Sequence, residues 1–383
     1  MGATLDAVSG SVRREGNSVT AFVDGENVFP PLLADLQNAK RSITYEAFEV
    51  DPDSRTTEAI ADALIAAHAR GVDVRVLVDA AGSHELLWMH NATVTRLRQA
   101  GVDVVLYEPL DSLEDLDLHR DHRKGIVVDG ELAWVGGMNT GDRYFGGPEI
   151  PSRLHDVFAR TEGPCVRDMA LAFADSWSAA HGSRLPDAIA APEPQPPRAA
   201  GVPLRLVTHV PGRDTFIRNT YLALIEHAKT RINLENSYPL TDELAQALRR
   251  AAQRGVEVNY IVSRQGFTSI PASKHFQPLL DAGVKLFIYP TPLHTKSISV
   301  DGEVAAFGSS NVDNVSLIRN RELFAVVEDA AFTRDYDARL FDRDRVSNSA
   351  GQKTLAVQGS LHDSFWAELS QRLIESLWPD SLE

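Results

Sequence analysis

The chain is written twice. Residues 33–40 followed by 42–46 return as residues 222–229 followed by 231–235, and each stretch reads as an amphipathic helix feeding a strand. Residues 63–72 and 247–256 each read as a helix stopped by glycine, at Gly71 and Gly255, ahead of the apolar strands 74–78 and 258–262. Ala100-Gly101-Val102 before 104–107 matches Ala282-Gly283-Val284 before 286–289. The offset between partners shrinks from 184 at Gly71/Gly255 to 172 at His122/His294, as longer loops in the first half would produce. Such alternation predicts an α/β fold of two repeated lobes, each a mixed, largely parallel sheet flanked by helices, forming a pseudo-twofold pair. Residues 191–198, Ala-Pro-Glu-Pro-Gln-Pro-Pro-Arg, read as a stiff linker. The expected organisation is an N-terminal lobe 1–190, a proline-rich linker 191–200, and a C-terminal lobe 201–383 with a terminal helix.

One pattern, H-x-K-x4-D-x6-G-[GS]-x-N, stands at corresponding places in both halves. It comprises His122, Lys124, Asp129, Gly136-Gly137 and Asn139 in the first half, and His294, Lys296, Asp301, Gly308-Ser309 and Asn311 in the second. A single copy would be a weak signal, whereas two copies in register with a repeat are a strong one. Asp129-Gly130 and Asp301-Gly302 are hairpin dipeptides between apolar strands, so both aspartates read as turn residues. His and Lys two apart on a strand point to one face, and the return strand brings the asparagine back to the same end. Each half thus offers an imidazole, an ammonium and an amide. Brought face to face, the two sets suit a phosphate diester. The cations and amide donors would stabilise the developing negative oxygens, while one imidazole attacks phosphorus and the other protonates the leaving oxygen.

Composition narrows the partners. Thirty-eight Lys plus Arg against 53 Asp plus Glu leave a formal net charge of −15, which disfavours bulk nucleic-acid binding and simple electrostatic adhesion to anionic lipid. The one cysteine, Cys165, excludes an intramolecular disulfide and reads as a small buried hydrophobe in a protein of a reducing compartment. No signal peptide is expected from residues 1–14, and no apolar run reaches the length of roughly 18 residues that a transmembrane helix needs.

The doubled pattern resembles the HKD motif of the phospholipase D superfamily over nearly the whole chain. Within that superfamily the chain is most similar to bacterial cardiolipin synthases, with further support from residues 22–30, 135–142 and 293–296. The resemblance implies a phosphohistidine intermediate without metal or other cofactor. His122 would be the nucleophile and His294 the general acid, with the reverse order left open by the near symmetry. It also implies that a carboxylate hydrogen-bonds a catalytic imidazole. Asp156 and Glu322 match it, within the parallel stretches 155–159 and 321–325, and Asn320 would support them. Glu46 and Glu235 are repeat partners on buried strands, either site-facing or ion-paired.

Three features depart from the pattern that the resemblance implies. Asp121 stands where synthases commonly have Asn, residues 111–117 form an acidic approach, and the membrane-spanning segments that precede the domain in many synthases are not expected here. Residues 365–378 carry two Trp at helical spacing and are expected to dock on the core. The implied function is transfer of a phosphatidyl group from a phospholipid substrate, phosphatidylglycerol foremost, to an alcohol. The protein would be cytoplasmic, with peripheral contact at the inner face of the cell membrane. A nuclease of the same superfamily and a catalytically silent scaffold are the competing readings.

Overall fold

The computed structural model describes residues 1–83, 90–108, 119–146, 154–236, 238, 240–263, 275–346 and 355–357. The acidic approach 111–117 and the terminal stretch 365–378 lie outside the described residues. Strands of both halves join one continuous sheet. From one edge, the first half contributes Asp103–Tyr107, Asp73–Asp79, Ser42–Ala47, Gly125–Val128, Leu132–Gly136, Val157–Glu162 and Arg14–Val23. The second then runs Val202–His209, Glu322–Val327, Val304–Gly308, Ser297–Val300, Arg231–Glu235, Glu257–Ser263, Lys285–Tyr289 and Leu355–Val357. Apart from the last strand, one half is the mirror of the other about the junction of Arg14–Val23 with Val202–His209.

Among the strands described, parallel pairing is confined to the three strands Ser42–Ala47, Asp73–Asp79 and Asp103–Tyr107 and to their counterparts Arg231–Glu235, Glu257–Ser263 and Lys285–Tyr289, isolated bridges aside. These are the strands joined by helical crossovers. The inner pairings are antiparallel because tight hairpins and longer returns connect them. The sheet is therefore mixed, with a smaller parallel share than the helix–strand alternation suggested.

Local signals explain the crossover helices. Ser54 accepts the Thr57 N–H at the start of Arg55–Ala69, and Thr241 accepts the Leu244 N–H at the start of Asp242–Gln253. Both helices end at a glycine in the left-handed region, Gly71 at φ 92° and Gly255 at φ 90°. With Gly25–Asn38 and Phe216–His227 they cover the outer faces of the half-sheets, burying Leu32, Leu36, Ile60 and Leu64 on one side and Leu224, Leu244 and Leu248 on the other. Among the described residues no helix is long and apolar enough to cross a membrane.

The inner faces share a third core. Ala133, Val135, Val157 and Ala159 of the first half pack with Phe307, Leu323 and Ala325 of the second, all nearly or fully buried. The helices Val166–Ala179 and Ala330–Arg339 enter the same layer through Met169 and Tyr336. Each large apolar side chain buried there contributes about 1.5–3 kcal/mol, so separating the lobes would be strongly unfavourable. At the junction, the buried Asn17 amide donates to the Arg14 carbonyl at 2.6 Å and the Val202 carbonyl at 3.3 Å, and its oxygen accepts the Cys165 N–H at 2.9 Å. Cys165 itself is buried, and burial pushes its thiol far above the ordinary range.

The two motif aspartates sit in their hairpin turns at φ 57°, each followed by a left-handed glycine. The Asp129 carboxylate accepts backbone N–H groups from Lys40, Arg41 and Ser42, and Asp301 accepts those of Lys229, Thr230 and Arg231. Each aspartate thereby ties its hairpin to the start of the neighbouring strand. Burial raises the Asp301 pKa, but these N–H donors outweigh it and leave the group below its ordinary value. Its stabilising share is therefore present above the unfolded-chain carboxyl pKa and is lost as pH falls through the lower folded value. We expect Asp129→Ala and Asp301→Ala each to cost about 1–3 kcal/mol in urea unfolding at neutral pH. For Asp301→Ala the deficit should narrow in acid, and a deficit independent of pH would contradict this role.

Candidate active site

His122 and His294 precede the equivalent strands Gly125–Val128 and Ser297–Val300, and each is fixed by the opposite lobe. The His122 backbone N–H donates to the Arg321 carbonyl at 3.0 Å, and the His294 N–H donates to the His155 carbonyl at 2.8 Å. Side chains repeat the exchange. His122 Nδ1 lies 2.9 Å from Glu322 Oε1 of the second half, and His294 Nδ1 lies 2.6 Å from Asp156 Oδ2 of the first. Both carboxylates are buried, while the rings keep 7% and 8% residue exposure. No hydrogen bond to either Nε2 occurs among the described residues. A carboxylate on Nδ1 fixes the tautomer and leaves the Nε2 lone pair for chemistry.

Lys124 and Lys296 are fully buried and lie alongside. Lys124 Nζ donates to the His122 carbonyl at 2.6 Å, and Lys296 Nζ donates to that of His294. Each ammonium also faces an aromatic ring, Phe48 at 5.0 Å from Lys124 and Tyr238 at 5.4 Å from Lys296. Burial pulls the Lys124 pKa down to about 7, against the pull of Glu322, and the Lys296 pKa down to about 8, against Asp156 and Glu322. The groups act on one another across the lobe boundary: Lys296 lowers His122, and Lys124 and His122 both lower His294. The two halves of the motif thus form one electrostatic site.

Asn139 and Asn311 are both buried, each with an Oδ1 that has no hydrogen-bond partner among the described residues. Asn139 Nδ2 donates to the Tyr144 hydroxyl at 2.8 Å and Glu49 at 3.3 Å, whereas Tyr144 packs edge-on against the His294 ring at 5.3 Å. The Asn320 side chain is buried, with its oxygen unpaired.

The dyads are not equivalent. Burial lowers both imidazoles, but Glu322 opposes it at His122, whereas the lysines push His294 well below the ordinary range. Burial raises Asp156 to about 7, while at Glu322 it is outweighed by His122, Lys124 and the Ser309 hydroxyl, leaving Glu322 below the usual carboxylate range. Ser309 Oγ donates to Glu322 Oε2. The matching residue in the first half is Gly137, which supplies no hydroxyl, and a Cβ there would collide with the Asp156 carboxylate. The one variable position inside the doubled pattern therefore contributes to the difference between the halves, beside the larger effects of burial, His122 and Lys124.

Behind each dyad lies a buried charge network. Glu46, Asp121, Arg123, Arg321 and Asp175 back His122, and Arg321 donates to Asp175 and, at 3.1 Å, to Ser176. Asp24, His155, Glu235, Asp344 and Arg343 back His294. Both repeat-related glutamates are thus behind the site; burial raises Glu46 well above its ordinary value and Glu235 to about 8. Asp121 is bonded locally, its backbone N–H donating to Asp79 Oδ2 at 2.9 Å and its carboxylate accepting the Arg123 N–H at 3.1 Å. Ligand atoms of His155, Glu235 and Asp344 lie within 4.8 Å of one another, the spacing of a cation site. Yet both His155 nitrogens already face carboxylates, Asp24 at 2.5 Å and Asp344 at 2.8 Å, which leaves the ring no lone pair for a metal. Sequence reasoning passed over Phe48, Tyr238, Gly137/Ser309 and the pair His155/Arg321. The last pair was visible as the residues before Asp156 and Glu322, and the aromatics follow the repeat-related Glu46 and Glu235 by two and three positions.

Comparison with known proteins agrees with this architecture. A family model described as cardiolipin synthase, PLD-like domain, matches residues 32–163 and 221–345. Cardiolipin synthase A of Klebsiella pneumoniae is 30% identical over 374 residues, covering 94% of this chain and 74% of the relative. Cardiolipin synthase A of Cronobacter sakazakii is 31% identical with the same coverage. Among solved structures, phosphatidylserine synthase of Haemophilus influenzae superposes with a TM-score of 0.73 at 12% identity, covering 98% of this chain and 96% of that one. Polyphosphate kinase of Porphyromonas gingivalis gives 0.58 at 15% identity, over 94% and 53% of the two chains. The chain belongs to the phospholipase D superfamily, in the PLD-like family of the cardiolipin synthases.

Gly137→Ala should misplace Asp156 and with it His294. We expect turnover to fall by about 10²-fold, as for an atomic misplacement of this size. Ser309→Ala, which removes a donor to Glu322 and the acceptor of the Leu323 N–H but adds no clash, should cost less than Gly137→Ala. Equal losses in a common diester assay would contradict the steric argument.

Proposed function

We propose that the protein is a phosphatidyltransferase of cardiolipin-synthase type, acting on phospholipids with phosphatidylglycerol as substrate. The observation that carries this is the crossed pair of imidazole–carboxylate dyads, each with Nε2 unbonded, beside two buried lysines. The lobes 1–190 and 201–383, joined by 191–200, act as two halves of one catalytic unit. Kinship with cardiolipin synthases supports the lipid substrate and peripheral contact with a membrane. The charge of −15 counts against a nucleic-acid diester.

The reaction proceeds in two displacements. His122 Nε2 attacks phosphorus, forming an N–P bond as the P–O bond to the leaving alcohol breaks, and His294 delivers a proton to that oxygen. An acceptor alcohol then gives its proton to His294 while its oxygen displaces His122 from phosphorus. With water as acceptor the same steps are hydrolysis. Lys124, Lys296 and the Asn311 amide hold the phosphoryl oxygens as negative charge develops, while Asn139, whose amide donates to Tyr144 and Glu49, positions the Tyr144 ring against His294. The asymmetry of the dyads supports this order. Ionised Glu322 beside a neutral His122 suits the nucleophile, and Asp156, raised to about 7, lets its dyad carry the proton that must be delivered. Asp129 and Asp301 shape the hairpins and take no part.

The test is to incubate the protein in EDTA with phosphatidylglycerol and, separately, with single-stranded DNA, and to identify products by mass spectrometry. We expect lipid transfer products with glycerol, ethanol or water as competing acceptors. Cleaved DNA would move the assignment to a nuclease, and no turnover by wild type would move it to a scaffold. His122→Ala and His294→Ala should each bring turnover to background. Asn139→Ala and Asn311→Ala should each lower it by about 10²-fold. Substantial activity in either histidine variant would contradict the two-histidine mechanism.

Binding of an anion should depend on pH through the lysines. Both ammonium groups are present in acid and are lost as pH rises through about 7 for Lys124 and about 8 for Lys296. Calorimetric affinity for tungstate, a dianion of fixed charge in this range, should therefore fall from about pH 6 to about pH 9. Affinity constant across that range would show that the lysines do not carry the anion.

A further inference from the structure

His155 and Arg321 occupy mirror positions, one residue before Asp156 and Glu322. Their carbonyls receive the backbone N–H groups of His294 and His122. Their side chains repeat the exchange of lobes. Arg321, from the second half, inserts among Asp121, Asp175, Ser176 and the Tyr107 ring of the first. His155, from the first half, inserts between Asp24 and the second-half group of Asp344, Glu235 and the stacked Tyr289 ring, 4.9 Å away.

We propose that His155, held as an imidazolium, is the positioning residue that locks the His294–Asp156 half of the site, and that Arg321 does the same for the His122–Glu322 half with a permanent charge. This rests on the two-imidazole reading of the site and adds to it a cation behind each dyad. Two carboxylates accept from opposite nitrogens of the His155 ring, which requires both to carry protons. Losing the proton would leave a buried acceptor facing a buried carboxylate, a repulsive contact one residue from Asp156.

The groups facing the ring are Asp24 at the end of Arg14–Val23, Glu235 at the end of Arg231–Glu235, Tyr289 at the end of Lys285–Tyr289, and Asp344 from Phe341–Val346. Arg343 bridges two of them, 3.5 Å from Asp24 and 3.4 Å from Asp344. Burial lowers the ring's pKa, but Asp344 and Asp24 outweigh it and hold the group well above the ordinary histidine range. The folded pKa thus exceeds the unfolded one, so the lock is whole below the unfolded value and opens as pH rises through the folded value. Arg321 does not titrate in that range.

The test uses His155→Gln, His155→Arg and Arg321→His in the full chain. Its readouts are the hydrogen-bonded Nδ1 protons of His122 and His294 by NMR, assigned with the His122→Ala and His294→Ala variants, and turnover of the phospholipid. In His155→Gln the His294 proton should be lost while that of His122 persists, and kcat should fall by about 10²-fold with KM little changed. His155→Arg should restore both protons and bring kcat to within about threefold of wild type, because the mirror position already uses arginine. Arg321→His should make the His122 proton disappear in alkali, which wild type does not show. A His294 proton retained with wild-type kcat in His155→Gln would overturn the proposal, as would a failure of His155→Arg to restore it. If His155→Gln does not fold, the arginine swap and Arg321→His decide the matter. The NMR readout needs no turnover, so failure of the lipid assay would sink the functional reading and leave this inference standing.

Discussion

Each imidazole of the site is held by the other lobe. The ring of His122 rests on Glu322 and its peptide on Arg321, and the ring of His294 rests on Asp156 and its peptide on His155. Neither lobe alone contains an oriented histidine. The shared core of Ala133, Val135, Phe307 and Leu323 therefore does more than bury area: it fixes the distance over which the exchange occurs. Backbone bonds at Asp121/Arg321 and His155/Leu293 then set the register between lobes. Orientation of a reacting group within fractions of an ångström is worth orders of magnitude in rate, and here the fold supplies it by construction.

The same exchange explains the buried charge. Two lysines, two imidazoles and two carboxylates could not remain charged in an apolar interior without partners. Burial pulls Lys124 and Lys296 down to about 7 and 8 and raises Asp156 to about 7, and the opposite charges packed beside them limit each shift. With Lys124, Lys296 and Asp156 brought near neutrality, the site can pass a proton with little change in free energy. The outer networks around Arg321 and His155 pair part of the charge behind the dyads, although burial still raises Glu46 and Glu235 within them.

Much of this was legible in the chain. Repetition announced two lobes, and the doubled spacing of His, Lys and Asn announced one shared site, because period-two placement on a strand is enforced by backbone geometry. The hairpins at Asp129 and Asp301 followed from two-residue turn chemistry. The antiparallel inner strands were less legible, since adjacency in a sheet depends on returns such as 137–156, which carry no periodic signal. The crossing of Glu322 to His122 and Asp156 to His294 could not be read from spacing at all: a contact between residues 200 positions apart is a property of packing. Phe48 and Tyr238 were passed over because an aromatic after a buried strand reads equally well as core.

The departure from symmetry is the remaining argument. A duplicated chain begins with equal halves, yet displacement at phosphorus needs unequal ones, a nucleophile that is bare and an acid that is loaded. Here burial raises Asp156, whereas at Glu322 His122 and Lys124 outweigh it, with Ser309 adding a donor that Gly137 does not supply to Asp156. Arg321 against His155 repeats the contrast one layer further out, a fixed charge against a titrating one. The halves are therefore not interchangeable: a side chain at 137 would drive its Cβ into the Asp156 carboxylate, so the asymmetry is built into the close packing there and is not carried by the Ser309 hydroxyl alone.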